Sequence, residues 1–174
     1  MELRICHTWD GQPCLPEEEV QLHLSISPSL ISVRIRAPYH GDPPPPSQPG
    51  PTDFLWEHEV VELFFLGSNE RYTEIELSPH GHYLVLQLAG RRHAVRRCLP
   101  IEYQATIEGF SWEGRASIPR RLLPEDSSLF NATAIHGQGS QRRYLSWTPL
   151  PGPHPDFHRL EEFAPLELPR SVDQ

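Results

Sequence analysis

Lysine is absent from this chain, so all 15 basic side chains are arginines, an asymmetry to which no functional reading attaches. Cysteine is scarce: Cys6, Cys14 and Cys98 cannot all pair within one chain, and none stands in a Cys-x-x-Cys spacing. That usage argues against a disulfide framework and for a reducing compartment. No segment approaches the roughly 18 consecutive apolar residues of a spanning helix. The N-terminus, MELRICHTWDG, has no apolar stretch behind a basic start, so a cytoplasmic chain with no membrane partner is the expectation. Positive charge is also short. A formal net charge of −8 argues against a nucleic-acid partner. The arginine pairs 91/92, 96/97, 120/121 and 142/143 then read as solvated strand ends rather than one phosphate-binding face. Catalytic signatures are missing as well, with no Gly-x-Ser-x-Gly elbow, no glycine-rich phosphate loop and no His-Glu-x-x-His helix.

What the chain does have is alternation. Val20, Leu22, Leu24 and Ile26 point one way, Gln21, His23 and Ser25 the other, and Ile31, Val33, Ile35 and Ala37 repeat the pattern after a turn at Ser27-Pro28-Ser29. Further strands are expected near 60–66, 71–78, 82–89, 93–98, 101–108, 111–118, 129–136 and 143–147. Only Pro119 to Asp126 suits a short helical turn. The 174 residues suffice for one core, so a single antiparallel β-sandwich over 1–174 is expected, jelly-roll or immunoglobulin-like in appearance. Asn131-Ala132-Thr133 matches a glycosylation acceptor but reads more simply as strand. The proline-rich run at 38–51 reads as a stiff surface loop, or else as an extended ligand for a protein partner. The irregular segment at 148–174 gathers Asp156, Phe157, His158 and Phe163, which makes it a site candidate.

The most informative stretch is LWEHEVVELFFLGSNERYTEIELSPHG, Leu55 to Gly81. Around Glu62, residues Val60, Val61, Leu63, Phe64, Phe65 and Leu66 are apolar at both parities, as in a strand covered on both faces. A carboxylate there must meet an arginine, a cation, backbone donors or ligand hydroxyls. Glu74 and Glu76 share a face of the next strand with Tyr72. They form either a solvated acidic face or, with Glu62, a paired-carboxylate site. Trp56, just before the acidic strand, either stacks on a flat ligand or plugs the open end of the sandwich. His80 and His82 flank Gly81, and His154, Asp156 and His158 alternate later, but neither group completes a zinc set. Glu57, Glu59 and Glu62 could contribute to an oxygen-rich site for a structural calcium ion, the one cofactor the residues suggest.

The ordered motifs LWEHEVVELFF, YTEIELSPHG, FSWEGRASIP, FNATAIHG, LSWTP and PDFHRLEEFAPLEL resemble the family 9 carbohydrate-binding modules and their DOMON-like relatives over residues 55 to 168. The shared steps are Trp56 with Val61 and Glu62, Trp112 with Ile118 and Pro119, Phe130 with Asn131, Ser146 with Trp147, and Phe163 with Leu166 and Leu168. The resemblance implies a saccharide held between two aromatic platforms, with Trp56 as the first and Glu62 as the hydrogen-bonding acid. Phe157 stands where those modules carry a second tryptophan, and Glu76 near where they carry a basic residue. The whole chain, including HTWDG and DPPPP, is similar to vertebrate protein family 0462, from a chromosome 4 open reading frame, which implies an intracellular stand-alone module.

The expectation is therefore a non-catalytic module binding a carbohydrate-like or small polyhydroxylated ligand through Trp56, Glu62, Glu76 and Phe157, with Glu74, His80, His154 and His158 at the rim. One alternative is a protein-interaction module using the proline-rich loop or a sheet edge. Another is a hydrolase using Glu62 with Glu74 or His80.

Overall fold

The computed structural model describes residues 1–166; Leu168, with the rest of the segment beyond 166, lies outside the described residues. The strands in chain order are β1 (Glu2–Ile5), β2 (His7–Thr8), β3 (Val20–Ile26), β4 (Leu30–Pro38), β5 (Val60–Leu66), β6 (Arg71–Leu77) and β7 (Tyr83–Ala89). They continue as β8 (Ala94–Arg96), β9 (Glu102–Glu108), β10 (Ser111–Pro119), β11 (Leu129–His136), β12 (Arg143–Ser146) and β13 (Ala164–Pro165). The helical turn expected at 119–126 is a single 3-10 turn over Arg120–Leu122.

These strands form two antiparallel sheets. The smaller runs β1-β3-β4-β10-β9, and the larger β2-β12-β11-β5-β6-β7-β8. β13 pairs with Leu129 and Phe130 at the start of β11, beyond the reach of β12, which pairs only from Thr133 onward. Alternation sets the layering. Leu22, Leu24, Ile31, Val33 and Ile35 of the smaller sheet meet Val61, Leu63, Phe65, Ile75 and Val85 of the larger in one apolar core.

The larger sheet is covered on its other face too, which is why every residue of β5 is buried. A second apolar cluster lies there, in which Val60, Phe64, Leu66, Tyr72, Leu84, Leu86 and Leu88 from the sheet meet Leu150, Phe157, Leu160 and Phe163 from the C-terminal segment. Phe64 and Phe163 pack at 5.7 Å between ring centroids. Asn131 is fully buried, donating to Ser146 Oγ and to the Thr148 carbonyl, so the acceptor-like tripeptide is strand interior.

The proline-rich loop is tied to the sandwich at several points. Glu59 accepts from the backbone N–H of His40 and of Asp42, Asp42 and Pro45 are buried, and Pro51 bridges to Tyr83. No helix among the described residues is long and apolar enough to cross a membrane.

Candidate functional site

A cavity of about 440 Å³ opens on the outer face of the larger sheet. Strand parity builds its floor. Glu62 of β5 stands directly opposite Glu76 of β6 and opposite Thr133 of β11, while Glu74 pairs with Phe64 and Leu86. All of these side chains point away from the inter-sheet core, because Val61, Leu63, Ile75 and Leu77 point into it. The C-terminal segment brings Asp156, Phe157 and His158 over one side, and the stretch before β5 brings Phe54 and Trp56 over the other. Arg92 and Arg97, which flank β8, complete the polar part of the wall.

The three acids dominate the chemistry. Glu62, Glu74 and Glu76 are 2%, 4% and 0% exposed, and one carboxylate oxygen from each lies within 4.8 Å of the others. Like charges directly across a strand pair are destabilising, and here they are also dehydrated. Glu62 Oε2 accepts a 2.6 Å bond from the Thr133 hydroxyl. Glu74 Oε2 and both oxygens of Glu76 have no hydrogen-bond partner among the described residues. Burial pushes Glu62 up to about 7, against the opposing effects of the Thr133 bond and the Arg142 charge. Burial, and then the neighbouring Glu62, hold Glu74 and Glu76 well above the usual carboxylate range.

The wall is ordered by its own hydrogen bonds. The Arg92 backbone N–H donates to Tyr72 Oη at 3.0 Å, which leaves the Tyr72 hydroxyl proton for His158 Nδ1 at 2.7 Å. His158 can accept it as a neutral ring, since burial and the Arg92 charge lower it to about 4. Asp156 Oδ1 accepts from both the His158 N–H and the Arg92 guanidinium, at 2.9 and 2.7 Å. Trp56 is half-buried. Phe54 packs edge-on against its ring at 5.3 Å, and the Arg97 guanidinium lies over it at 6.0 Å from the centroid. Arg142 donates to the carbonyls of Trp56 and Glu57 and so fixes the backbone beneath that ring. Phe54 and Arg92, both on the wall, hold positive φ angles of 58° and 59°, conformations that cost energy in non-glycine residues.

Of the residues singled out from sequence, Trp56, Glu62, Glu74, Phe157 and His158 line this one cavity. Glu76 lies beside them, across the strand pair from Glu62 and closed off from solvent. Phe157 is only 8% exposed and packs against Tyr144, so it forms wall rather than a free platform. Two of the rim residues lie elsewhere. His80 sits in the β6–β7 turn against Tyr39, and His154 is exposed in the late loop. The acids proposed for calcium also separate, with Glu57 exposed and Glu59 turned to the proline-rich loop. Neither Glu74 nor Glu76 belongs to a solvated acidic face. Arg92 and Arg97 are solvated as expected, with side chains 59% and 40% exposed, and they also line the wall. Their only local signal is their position in turns at the edge of the same sheet.

The sandwich is that of carbohydrate-binding modules. A candidate carbohydrate-binding protein from Bacteroides uniformis aligns with a TM-score of 0.72 at 17% identity, over 97% of this chain and 86% of that one. A family 9 carbohydrate-binding module from Caldicellulosiruptor kristjanssonii, solved with glucose, aligns with a TM-score of 0.60 at 11% identity, over 97% and 85%. No protein-family profile matches the chain. In sequence it is 43% identical to the UPF0462 protein C4orf33 homolog of Mus musculus, over 97% of this chain and 92% of the mouse protein. It is 41% identical to the UPF0462 protein C4orf33 of Homo sapiens, over 94% and 86%. The chain belongs to the UPF0462 family.

Proposed function

We propose that this protein is a non-catalytic binding module that takes a carbohydrate-like or small polyhydroxylated ligand in the cavity on the outer face of its larger sheet. The observation that carries the reading is the joining, in one cavity, of half-exposed Trp56 with the buried acids Glu62 and Glu74. A pyranose-like ring presents apolar C–H faces and a rim of hydroxyls. Trp56, Leu86 and Leu88 offer apolar surface for the first, and Glu62, Glu74, Asp156, Arg92 and Arg97 offer acceptors and donors for the second. The glucose-bound neighbour of the same fold supports this choice of ligand class.

Titration with a monosaccharide and glycan panel, followed by tryptophan fluorescence, is the test. A saturable change is expected for at least one member, and Trp56→Ala should abolish it while leaving the melting temperature within a few degrees. A panel without response, or a response that survives Trp56→Ala, removes the sugar reading.

A further inference from the structure

We propose that Glu62, Glu74 and Glu76 form a site for one hard divalent cation, of the calcium, magnesium or manganese class, at the floor of the cavity. An oxygen from each carboxylate lies within 4.8 Å of the others, a separation that metal–oxygen bonds of about 2.1–2.4 Å can span across a single ion. Three of the six carboxylate oxygens, Glu74 Oε2 and both of Glu76, are buried and have no partner among the described residues. Buried polar groups are normally satisfied, so these oxygens are aimed at something that the protein atoms do not supply.

No arginine among the described residues takes that place. None of the three acids belongs to an ion pair among the described residues, whose pairs join other side chains, such as Arg92 to Asp156 and Arg97 to Asp53. The donor set is oxygen only, carboxylates with the Thr133 hydroxyl alongside, which selects hard cations over zinc or copper. The acids stand on two adjacent hydrogen-bonded strands, so their spacing is held by the sheet rather than by a mobile loop. Glu62 and Glu74 also line the cavity, which gives the ion a route in and leaves coordination positions on the open side for water.

The site stands whether or not a sugar binds above it, and the probe is the ion alone. Protein freed of metal with a chelator, then transferred to chelator-free buffer, is titrated with terbium while tryptophan is excited, because Trp56 lines the same cavity. Saturable sensitised emission at one ion per chain is expected, displaced by calcium or manganese. Calcium or manganese should also raise the melting temperature of the wild-type protein. Glu76→Gln and Glu74→Gln should each weaken the ion by about tenfold or more, an effect at least as large as that of removing an outer-shell partner. Exposed Glu57→Gln should change nothing. Absence of both the emission and the thermal shift in wild-type protein overturns the proposal, as does binding of equal strength in a folded Glu76→Gln or Glu74→Gln variant. The thermal shift needs no variant, so a poorly folding substitution does not blunt the test.

Discussion

Replacing Arg143 by alanine should lower the unfolding free energy by about 2–3 kcal/mol, below the about 3–5 kcal/mol typical of a broken buried pair because the arginine is partly exposed. Glu18 ends a 3-10 turn just before β3, and its side chain is 3% exposed. Its carboxylate takes two bonds from Arg143 of β12, at 2.6 and 2.9 Å, and one from the Leu15 backbone N–H at 2.9 Å. The side chain of Arg143 is 40% exposed, so it retains much of its hydration while Glu18 does not. Truncating the arginine therefore leaves a buried charge with only the Leu15 N–H and, at 3.2 Å, His136 Nε2 beside it. The pair also links the turn that leads into β3 of the smaller sheet to β12 of the larger one, and both sheets lose the tie.

The pH dependence identifies the cause. Glu18 is held down at about 2, where the bonds from Arg143 and Leu15 outweigh its burial. A depressed acid contributes stability that is present above its unfolded value and lost as pH falls through its folded one. The Arg143→Ala penalty should therefore be full near neutrality and shrink between about pH 5 and pH 2. Urea unfolding of both proteins across that range is the measurement. A penalty independent of pH would show that packing of the arginine stem, and not charge, carries the effect. Glu18→Gln in the Arg143→Ala background should recover part of the loss, since the buried charge is then gone.

How much of this was readable in advance depends on whether the cause is local. β3 and β4 alternate so regularly that hairpin, register and buried face follow from residue order alone. β5 is apolar at both parities because a second layer covers it, and that doubling predicted a dehydrated Glu62. Period two likewise put Tyr72, Glu74 and Glu76 on one face. Which face, and how deeply buried, depends on the C-terminal segment that folds back with Phe157, Leu160 and Phe163, contacts about 90 residues away along the chain. Arg92 joins Asp156 across 64 positions, a pairing that no local pattern encodes. β1 shows alternation at Leu3 and Ile5 but is only four residues long, and β13 contains a proline, so neither carried a usable signal. His80 lies away from the cavity for a plain reason: it belongs to the turn at the end of β6, where Tyr39 lies.

Glu76→Gln should stabilise the metal-free protein above neutral pH, by about 2 kcal/mol near pH 8.5, and change little at about pH 4. Glu76 is completely buried and neither carboxylate oxygen has a partner among the described residues, so ionising it means holding a bare charge beside Glu62 and Glu74. Glutamine removes that charge and adds two N–H donors to a cluster in which Glu74 Oε2 has no partner among the described residues. The sign follows from the raised values. An acid whose folded value lies above its unfolded one contributes stability that is present at low pH and lost as pH rises through the folded value, about 7 for Glu62 and higher than usual for Glu74 and Glu76. The wild-type protein should thus weaken from about pH 4.5 upward in chelator, as the unfolded chain begins to lose these protons, and Glu76→Gln should weaken less. Buried His136 and His158, each lowered to about 4, act in the opposite sense between about pH 4 and 6.5 in both proteins. The difference between the two proteins therefore isolates the acids. Thermal unfolding of both in chelator at the two pH values decides the matter: equal destabilisation of the variant at each pH would mean that the cluster is stable by itself and that Glu76 is there for packing. Calcium or manganese added at the higher pH should then stabilise the wild-type protein more than the variant, because the variant has lost one carboxylate ligand and holds the ion more weakly.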